Sequence, residues 1–244
     1  MSKLIHLFIL SGLSAITSIA PPFGAGSRPM HHSGITAPVT RSLSIAEKAQ
    51  EVFDSLDLDQ MGLSLEAFQY AYRGYHELLE KRLIKKAGLL TICDFSQSSR
   101  NKRMYVVDME NYQLVKNTYV AHGRNSGGEF ANSFSNSPRS HKSSLGFYIT
   151  HTTYKGGHGL SLRLQGVERG INDKAMMRHI VLHGSNYVGD RYLERSPFLG
   201  RSFGCPAVPA DETKDIIETI KDGSCLFIYH PNNNYLKTSK ILNA

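Results

Sequence analysis

The spacing of apolar side chains predicts two helices before the β-rich part of the chain. Ser44-Ile45-Ala46-Glu47 has the form of a capping box, in which the Ser and Glu side chains each bond to a backbone amide of the other. We therefore expect a helix from there through Leu56, and a second helix from Ser64. The apolar residues of the second helix recur at steps of three and four and share one face: Phe68, Tyr72, Tyr75, Leu79 and Leu83. The two helices are expected to pack as a hairpin against the rest.

From residue 89 onward the pattern changes to short apolar runs separated by turn-like segments rich in Gly, Pro, Asn and Ser. These runs predict strands at 89–95, 104–108, 113–121, 146–149, 161–167, 179–183 and 225–230. One late helix is predicted over 211–221, with Asp211 as its N-cap and Gly223 beyond its end. Many short strands and a late helix indicate an α+β fold with a compact β-rich domain.

The N-terminal segment predicts export. Lys3 precedes an apolar run, residues 4–19, that is short for a membrane span and typical of a secretory signal peptide. Ser18-Ile19-Ala20 has the small-x-small form of a cleavage site, but Pro21 is unfavourable for cleavage, so a retained N-terminal membrane anchor stays open. Residues 21–42 read as a linker. The predicted organisation is a signal or anchor at 1–20, the linker at 21–42, a helical extension at 43–87 and a β-rich domain at 88–244.

Net charge and histidine spacing limit the classes of partner. The formal charge is +7, which favours anionic surroundings such as nucleic acid, an anionic membrane face or an anionic cell-wall polymer, and the basic residues are scattered. Neither a concentrated basic stripe nor a known nucleic-acid module is present in the sequence, so no nucleic-acid partner is predicted. The 11 histidines are dispersed, without His-Glu-x-x-His or Cys-x-x-Cys. We expect no metal and no cofactor.

The three cysteines have different sequence surroundings. Cys93 and Cys225 lie in strand-like apolar runs, where an inert buried thiol is usual, and a disulfide between them stays open. Cys205 is instead flanked by Gly204 and Pro206. An odd count in an exported chain leaves at least one thiol unpaired. Cys205 is therefore the candidate nucleophile.

A catalytic thiol needs a base, because a free thiol with a pKa of about 8.5 is mostly protonated at neutral pH. His183 ends an apolar run and is followed by Gly184, so a strand would carry it to a sheet edge. Gly204 permits a close backbone approach. The amides of Gly204 and Cys205 are the candidates for stabilising an oxyanion.

These residues resemble the signature of a known family. Leu182-His183-Gly184, a loop, and then Ser202-Phe203-Gly204-Cys205 are similar to the His-Gly and Ser/Thr-His-Gly-Cys motifs of murein L,D-transpeptidases. Segments 143–149 and 222–228 extend the resemblance to about residues 88–230. Two departures place the chain with a divergent branch: Phe203 replaces the usual His, and Pro206-Ala207-Val208 replaces the usual apolar-Arg/Asn tail.

The resemblance implies a β-sandwich or barrel-like catalytic domain without a cofactor, working in the periplasm or extracellular envelope of a bacterium. Cys205 would attack the third, diamino-acid residue of a peptidoglycan tetrapeptide stem and release D-Ala. A side-chain amine of a second stem would then give a 3→3 cross-link. His183 would act as the base, oriented by a backbone carbonyl at Gly184 or Ser185.

Several polar residues near the motif are candidate substrate contacts, each with a simpler structural interpretation. They are Arg201, Ser202, Ser185, His158 and Tyr154. Arg201 lies close to the nucleophile in sequence, and a guanidinium can bind a carboxylate through two hydrogen bonds. Three alternatives stay open: an L,D-carboxypeptidase that uses water as acceptor, another cysteine peptidase on wall peptides, and a non-catalytic wall-binding protein of the same fold. Papain-like enzymes place Cys before His, the reverse of the order here.

Overall fold

Two capped helices begin the part of the chain described by the computed structural model, residues 43–244. They are α1 (Ile45–Ser55) and α2 (Leu65–Glu80). Ser44 and Glu47 form the predicted capping box, and the Ser64 side chain accepts from the backbone of Ala67, so both predicted N-caps are confirmed. Leu83 lies beyond the end of α2 and is exposed. The predicted signal or anchor and the linker lie outside the described residues.

One mixed sheet of eight strands forms the body of the domain, with the order β3-β2-β1-β8-β4-β5-β6-β7. The strands are β1 (Leu89–Asp94), β2 (Met104–Asp108), β3 (Gln113–Thr118), β4 (Gly146–Gly156), β5 (Gly159–Gly166), β6 (Val181–Ser185), β7 (Ala207–Pro209) and β8 (Cys225–Tyr229). The other helices are α3 (Asp190–Leu193), α4 (Thr213–Ile220) and α5 (Asn233–Thr238). The β1–β8 and β6–β7 pairs are parallel and the remaining pairs are antiparallel. The predicted α+β, β-rich fold is confirmed.

The two edges of the sheet meet near the candidate nucleophile. The chain just beyond β3 returns to β7, where Ala121 N donates to Ala207 O at 2.8 Å and Ala207 N donates to Ala121 O at 3.3 Å. A sheet whose first strand leads back to its last strand must curve, as a barrel does. The contact fixes the chain immediately after Cys205.

Several helix and strand bounds differ from those that the local sequence pattern predicts. The N-cap of α4 is Glu212 rather than Asp211, and no side chain caps this helix. The turn is closed instead by Glu212 N donating to Pro209 O, while the Glu212 side chain bonds to Thr118. β4 extends to residue 156, since hairpin pairing with β5 carries it past the apolar run. The short elements β7, α3 and α5 carry no periodic pattern that predicts them.

Helix α2 packs directly on the middle of the sheet. Gly74 faces the ring of Phe147 in β4, which stacks on Phe227 of β8 with ring centroids 4.1 Å apart. Tyr70 stacks on Tyr229 at 6.1 Å. The apolar core therefore continues from both helices into the sheet, and the described residues, 43–244, belong to one compact unit. Of the helices in residues 43–244, none has the length and apolar character needed to cross a membrane.

We expect Gly74→Ala to lower the free energy of unfolding by about 1–3 kcal/mol, the usual cost of overpacking a core. A Cβ at this position would lie 1.9 Å from Phe147 Cζ, so the stacked rings must shift. Ala favours a helix over Gly by only about 1 kcal/mol, which does not offset the overlap. Denaturant unfolding measures the change. Gly157→Ala is the matched control, because a Cβ there has no atom within 4 Å, and an equal effect in both variants would contradict this packing.

Candidate active site

The loop that carries Cys205 is held by the Ser202 side chain. Ser202 Oγ donates to Cys205 O at 2.6 Å and accepts from Gly204 N at 3.0 Å. Gly204 has φ +124°, in the region that favours glycine, and its added Cβ would lie 2.8 Å from Lys142 O. Its amide is already bonded to Ser202, so of the two predicted oxyanion donors only the Cys205 amide lacks an acceptor within the described chain.

The thiol of Cys205 is half-buried against the strand next to it. The backbone amide of Val181 donates to Cys205 Sγ at 3.5 Å, and the thiol donates to His179 O at 3.7 Å. Burial raises the pKa of Cys205, and the Val181 amide and the positive charge of Arg178 partly oppose that rise. Burial therefore favours the protonated form of the Cys205 thiol. Of the described residues, His183 is not one of its hydrogen-bond partners.

His183 is buried in β6 and has a defined tautomer. Its Nδ1 lies 3.0 Å from Gly184 O, and a carbonyl can only accept, so Nδ1 carries the proton. Nε2 is then left with its lone pair, as a general base requires. Of Gly184 and Ser185, it is Gly184 whose carbonyl orients the ring. Burial is the main cause that lowers the pKa of His183, and the charge of His158 lowers it further.

Strand pairing places His183 beside the chain that follows Cys205. In the parallel β6–β7 pair, His183 lies opposite Ala207, and its amide is 3.4 Å from Pro206 O. The position after His183 has room only for glycine, because a Cβ on Gly184 would lie 2.1 Å from Thr213 Oγ1 in α4. The strands and α4 therefore set the spacing between Cys205 and His183.

The tip of the β4–β5 hairpin contacts the ring of His183. His158 at its tip is exposed, and its ring stacks on that of His183 with centroids 4.3 Å apart and planes at 21°. Tyr154 lies further back in β4, and the guanidinium of Arg163 lies 4.6 Å from its ring centroid. His158 and Ser185 line a groove of about 540 Å³ beside the base, together with Gly184, Asn186, Tyr187, Tyr192 and Ala210.

Arg201 is directed away from the thiol. Its Nη1 donates to Gly127 O at 3.0 Å, and its guanidinium lies over Phe198 at 5.6 Å. It lines a second groove of about 620 Å³ with Arg124, Asn125, Tyr192 and residues 196–200. Ser185 Oγ accepts from Tyr187 N at 3.3 Å. Of the five predicted substrate contacts, His158 and Ser185 line the first groove and Arg201 lines the second, and the two grooves share Tyr192. Ser202 and Tyr154 line neither groove, and the Ser202 hydroxyl is engaged within the Cys205 loop.

Two residues that the sequence analysis missed support the loop. Arg178 donates to Lys142 O at 2.6 Å and to Ser144 Oγ at 2.5 Å, which keeps its charge near Cys205. Ser143 Oγ donates to Gly204 O at 3.1 Å and accepts from Gly123 N at 3.0 Å. Their partners are distant in sequence, so no local signal reveals them.

The other two cysteines lie in the core and do not form a disulfide. Cys93 and Cys225 are buried and unpaired, and burial raises the pKa of Cys93 to about 12. Within residues 43–244, no group of three His, Cys, Asp or Glu side chains is placed to hold a metal ion. The chemistry available at the site is that of a thiol, an imidazole and backbone amides.

Comparison with known proteins identifies the family. The L,D-transpeptidase catalytic domain model matches residues 59–229. Among solved structures, an L,D-transpeptidase from Mycobacterium smegmatis shows 9% identity and a TM-score of 0.36 over 59% of each chain. L,D-transpeptidase 3 from Mycobacterium tuberculosis shows 9% identity and a TM-score of 0.37 over 59% of this chain and 61% of that chain. The L,D-transpeptidase from Xylanimonas cellulosilytica shows 14% identity and a TM-score of 0.33 over 58% of this chain and 60% of that chain. The likeness spans about three fifths of those chains. A comparison with curated proteins finds no match. Because the family model covers well over half of the sequence, the chain belongs to the L,D-transpeptidase catalytic domain family.

Proposed function

We propose that this protein is an L,D-transpeptidase that joins peptidoglycan stem peptides through a thioester on Cys205. The observation that carries the proposal is the tautomer of His183. The bond from Nδ1 to Gly184 O leaves Nε2 free to accept a proton, on the strand next to the one that follows Cys205. A buried imidazole held in this form is prepared to act as a general base.

In the first step the sulfur attacks the carbonyl of the third stem residue. The resting thiol is directed at His179 O, so substrate binding must redirect it toward His183 Nε2. As the S–C bond forms, the thiol proton moves to Nε2 and the carbonyl π electrons move onto oxygen. Burial disfavours charge on both groups, so the proton transfer accompanies the attack instead of preceding it.

The oxyanion of the tetrahedral intermediate needs a donor. The amide of Cys205 has no acceptor among the described residues and serves this purpose, whereas the amide of Gly204 holds Ser202 Oγ. When the intermediate collapses, the C–N bond to D-Ala breaks. The proton on Nε2 passes to the departing amine, and the carbonyl of the thioester is restored.

An amine of a second stem resolves the thioester. It attacks the thioester carbonyl and gives a proton to His183, and the thiolate leaves and takes that proton back. One amide is exchanged for another, so no nucleotide is consumed. Such chemistry suits a bacterial cell envelope, and a net charge of +7 is compatible with an anionic wall.

Cys205→Ala and His183→Ala should each abolish the acyl-enzyme formed with a carbapenem or with a tetrapeptide, measured by intact-protein mass. The first variant removes the nucleophile, and the second removes its base. His151→Ala is the matched control, since His151 is exposed on β4 and is not in contact with either groove. An adduct retained in either of the first two variants would refute the proposal, and no adduct in the unmodified protein would favour a non-catalytic wall-binding protein.

His158→Ala should raise the pKa of His183, because it removes both a nearby positive charge and part of the cover on the ring. Below its pKa the imidazole is protonated and cannot act as a base, so the acid limb of acylation should move to higher pH by the same amount. NMR titration of the ring measures the shift, with His151→Ala as control. A pKa of His183 that is unchanged or lower in His158→Ala would contradict the stacking argument.

Disaccharide-tetrapeptides should be converted to cross-linked dimers with one D-Ala released per dimer, as measured by liquid chromatography and mass spectrometry. The amine outcompetes water if the grooves hold a second stem. Accumulation of tripeptides with equivalent D-Ala, and no dimer, would assign the protein as an L,D-carboxypeptidase instead.

A further inference from the structure

Phe203, two positions before the nucleophile, is the most exposed of the large apolar side chains described, at 64%. It is not unsupported. Its ring packs against that of His141 with centroids 4.7 Å apart, and the guanidinium of Arg124 lies over it at 5.3 Å. We call Phe203, Arg124 and His141 the aromatic–cationic cluster.

Backbone contacts hold this cluster in place. Arg124 N donates to Ser202 O at 2.8 Å, and Asn125 N donates to His141 O at 3.1 Å. At Gly123 the three segments approach so closely that a Cβ would lie 2.6 Å from His141 O and 2.8 Å from Gly204 Cα. The Phe203 and His141 rings and the guanidinium of Arg124 are therefore tied by backbone contacts to the loop that carries Cys205.

Arg124 has donors available. Stacking on an aromatic face occupies the plane of a guanidinium and leaves its edge N–H groups free. Among the described residues, no hydrogen bond from the Arg124 side chain and no carboxylate at ion-pair distance is found. Arg201, by contrast, donates to a backbone carbonyl. Arg124 also lines the groove of about 620 Å³, so a ligand in that groove meets a free, oriented cation.

We infer that the aromatic–cationic cluster binds a free carboxylate on the acyl half of the stem peptide, with Arg124 as the receiving group and Phe203 as its support. This inference rests on the proposed function. His183 must protonate the departing amine, so the leaving D-Ala lies toward β6 and the hairpin. The aromatic–cationic cluster is built instead on the segments around residues 124, 141 and 203. It therefore binds the part of the substrate that stays attached to the sulfur. A planar guanidinium binds a carboxylate through two hydrogen bonds.

Binding to the full chain carrying Cys205→Ala tests the inference without turnover. Two stem tetrapeptides are compared by calorimetry, one with its acyl-half carboxylate free and one with that group amidated. We expect the free acid to bind about tenfold more tightly, as one charge-assisted contact allows. Adding Arg124→Gln should remove the preference. Arg169→Gln, which removes the same charge from an exposed turn, should keep it.

Substitutions of Phe203 test whether its ring acts by stacking on the Arg124 guanidinium or only by covering it with an apolar surface. Phe203→Tyr should retain the preference for the free acid, whereas Phe203→Leu should weaken it, because only an aromatic face orients the guanidinium. Thermal unfolding checks that these exposed substitutions leave the fold intact. A preference that survives Arg124→Gln, or equal or no binding of the two peptides, would each overturn the inference. Acyl-enzyme formation by the unmodified protein is measured separately. If the preference follows Arg124 but no acyl-enzyme forms, the proposed reaction fails and the carboxylate site stands.

Discussion

The parallel pairing of β6 with β7 is the constraint on which the site depends. Hydrogen bonds between these strands place His183 opposite Ala207 and so beside the chain that leaves Cys205. A three-residue strand is weak by itself. It is held on its other side by Ala121, and the fit of Gly184 against Thr213 fixes how closely α4 approaches. Sheet closure therefore does more than complete the fold, because it gives Cys205 and His183 a shared support.

Burial determines how the two groups are charged before a substrate arrives. It raises the pKa of Cys205 and lowers that of His183, so both favour their neutral forms. An imidazolium–thiolate pair would need close contact to offset the cost of desolvation, and the resting thiol is directed at His179 O instead. A neutral thiol is a poor target for oxidants. Burial of Cys205 thus favours the less reactive, neutral form of the sulfur.

The sequence predicts those features of the fold that depend on contacts between residues close together in the chain. Ser44 and Ser64 cap their helices through contacts within one turn, and the apolar run at 104–108 is a strand with those same bounds. Cys205 and His183 stand out because of the motif around each of them. Contacts between distant segments escape such reasoning. Arg178 is defined by carbonyls and hydroxyls of residues 135–144, and β7 is a strand only because β6 lies beside it.

The exchange of the usual His for Phe203 follows from how the loop is built. Ser202 Oγ, Ser143 Oγ and the positive φ of Gly204 hold the backbone on both sides of residue 203, so that its own side chain takes no part in placing the sulfur. That side chain points to solvent, where it meets Arg124. Since the tautomer of His183 is fixed by Gly184 O, a second imidazole is not needed to define the base. The side chain of residue 203 is therefore not required by the hydrogen bonds that hold the Cys205 loop or orient the His183 ring.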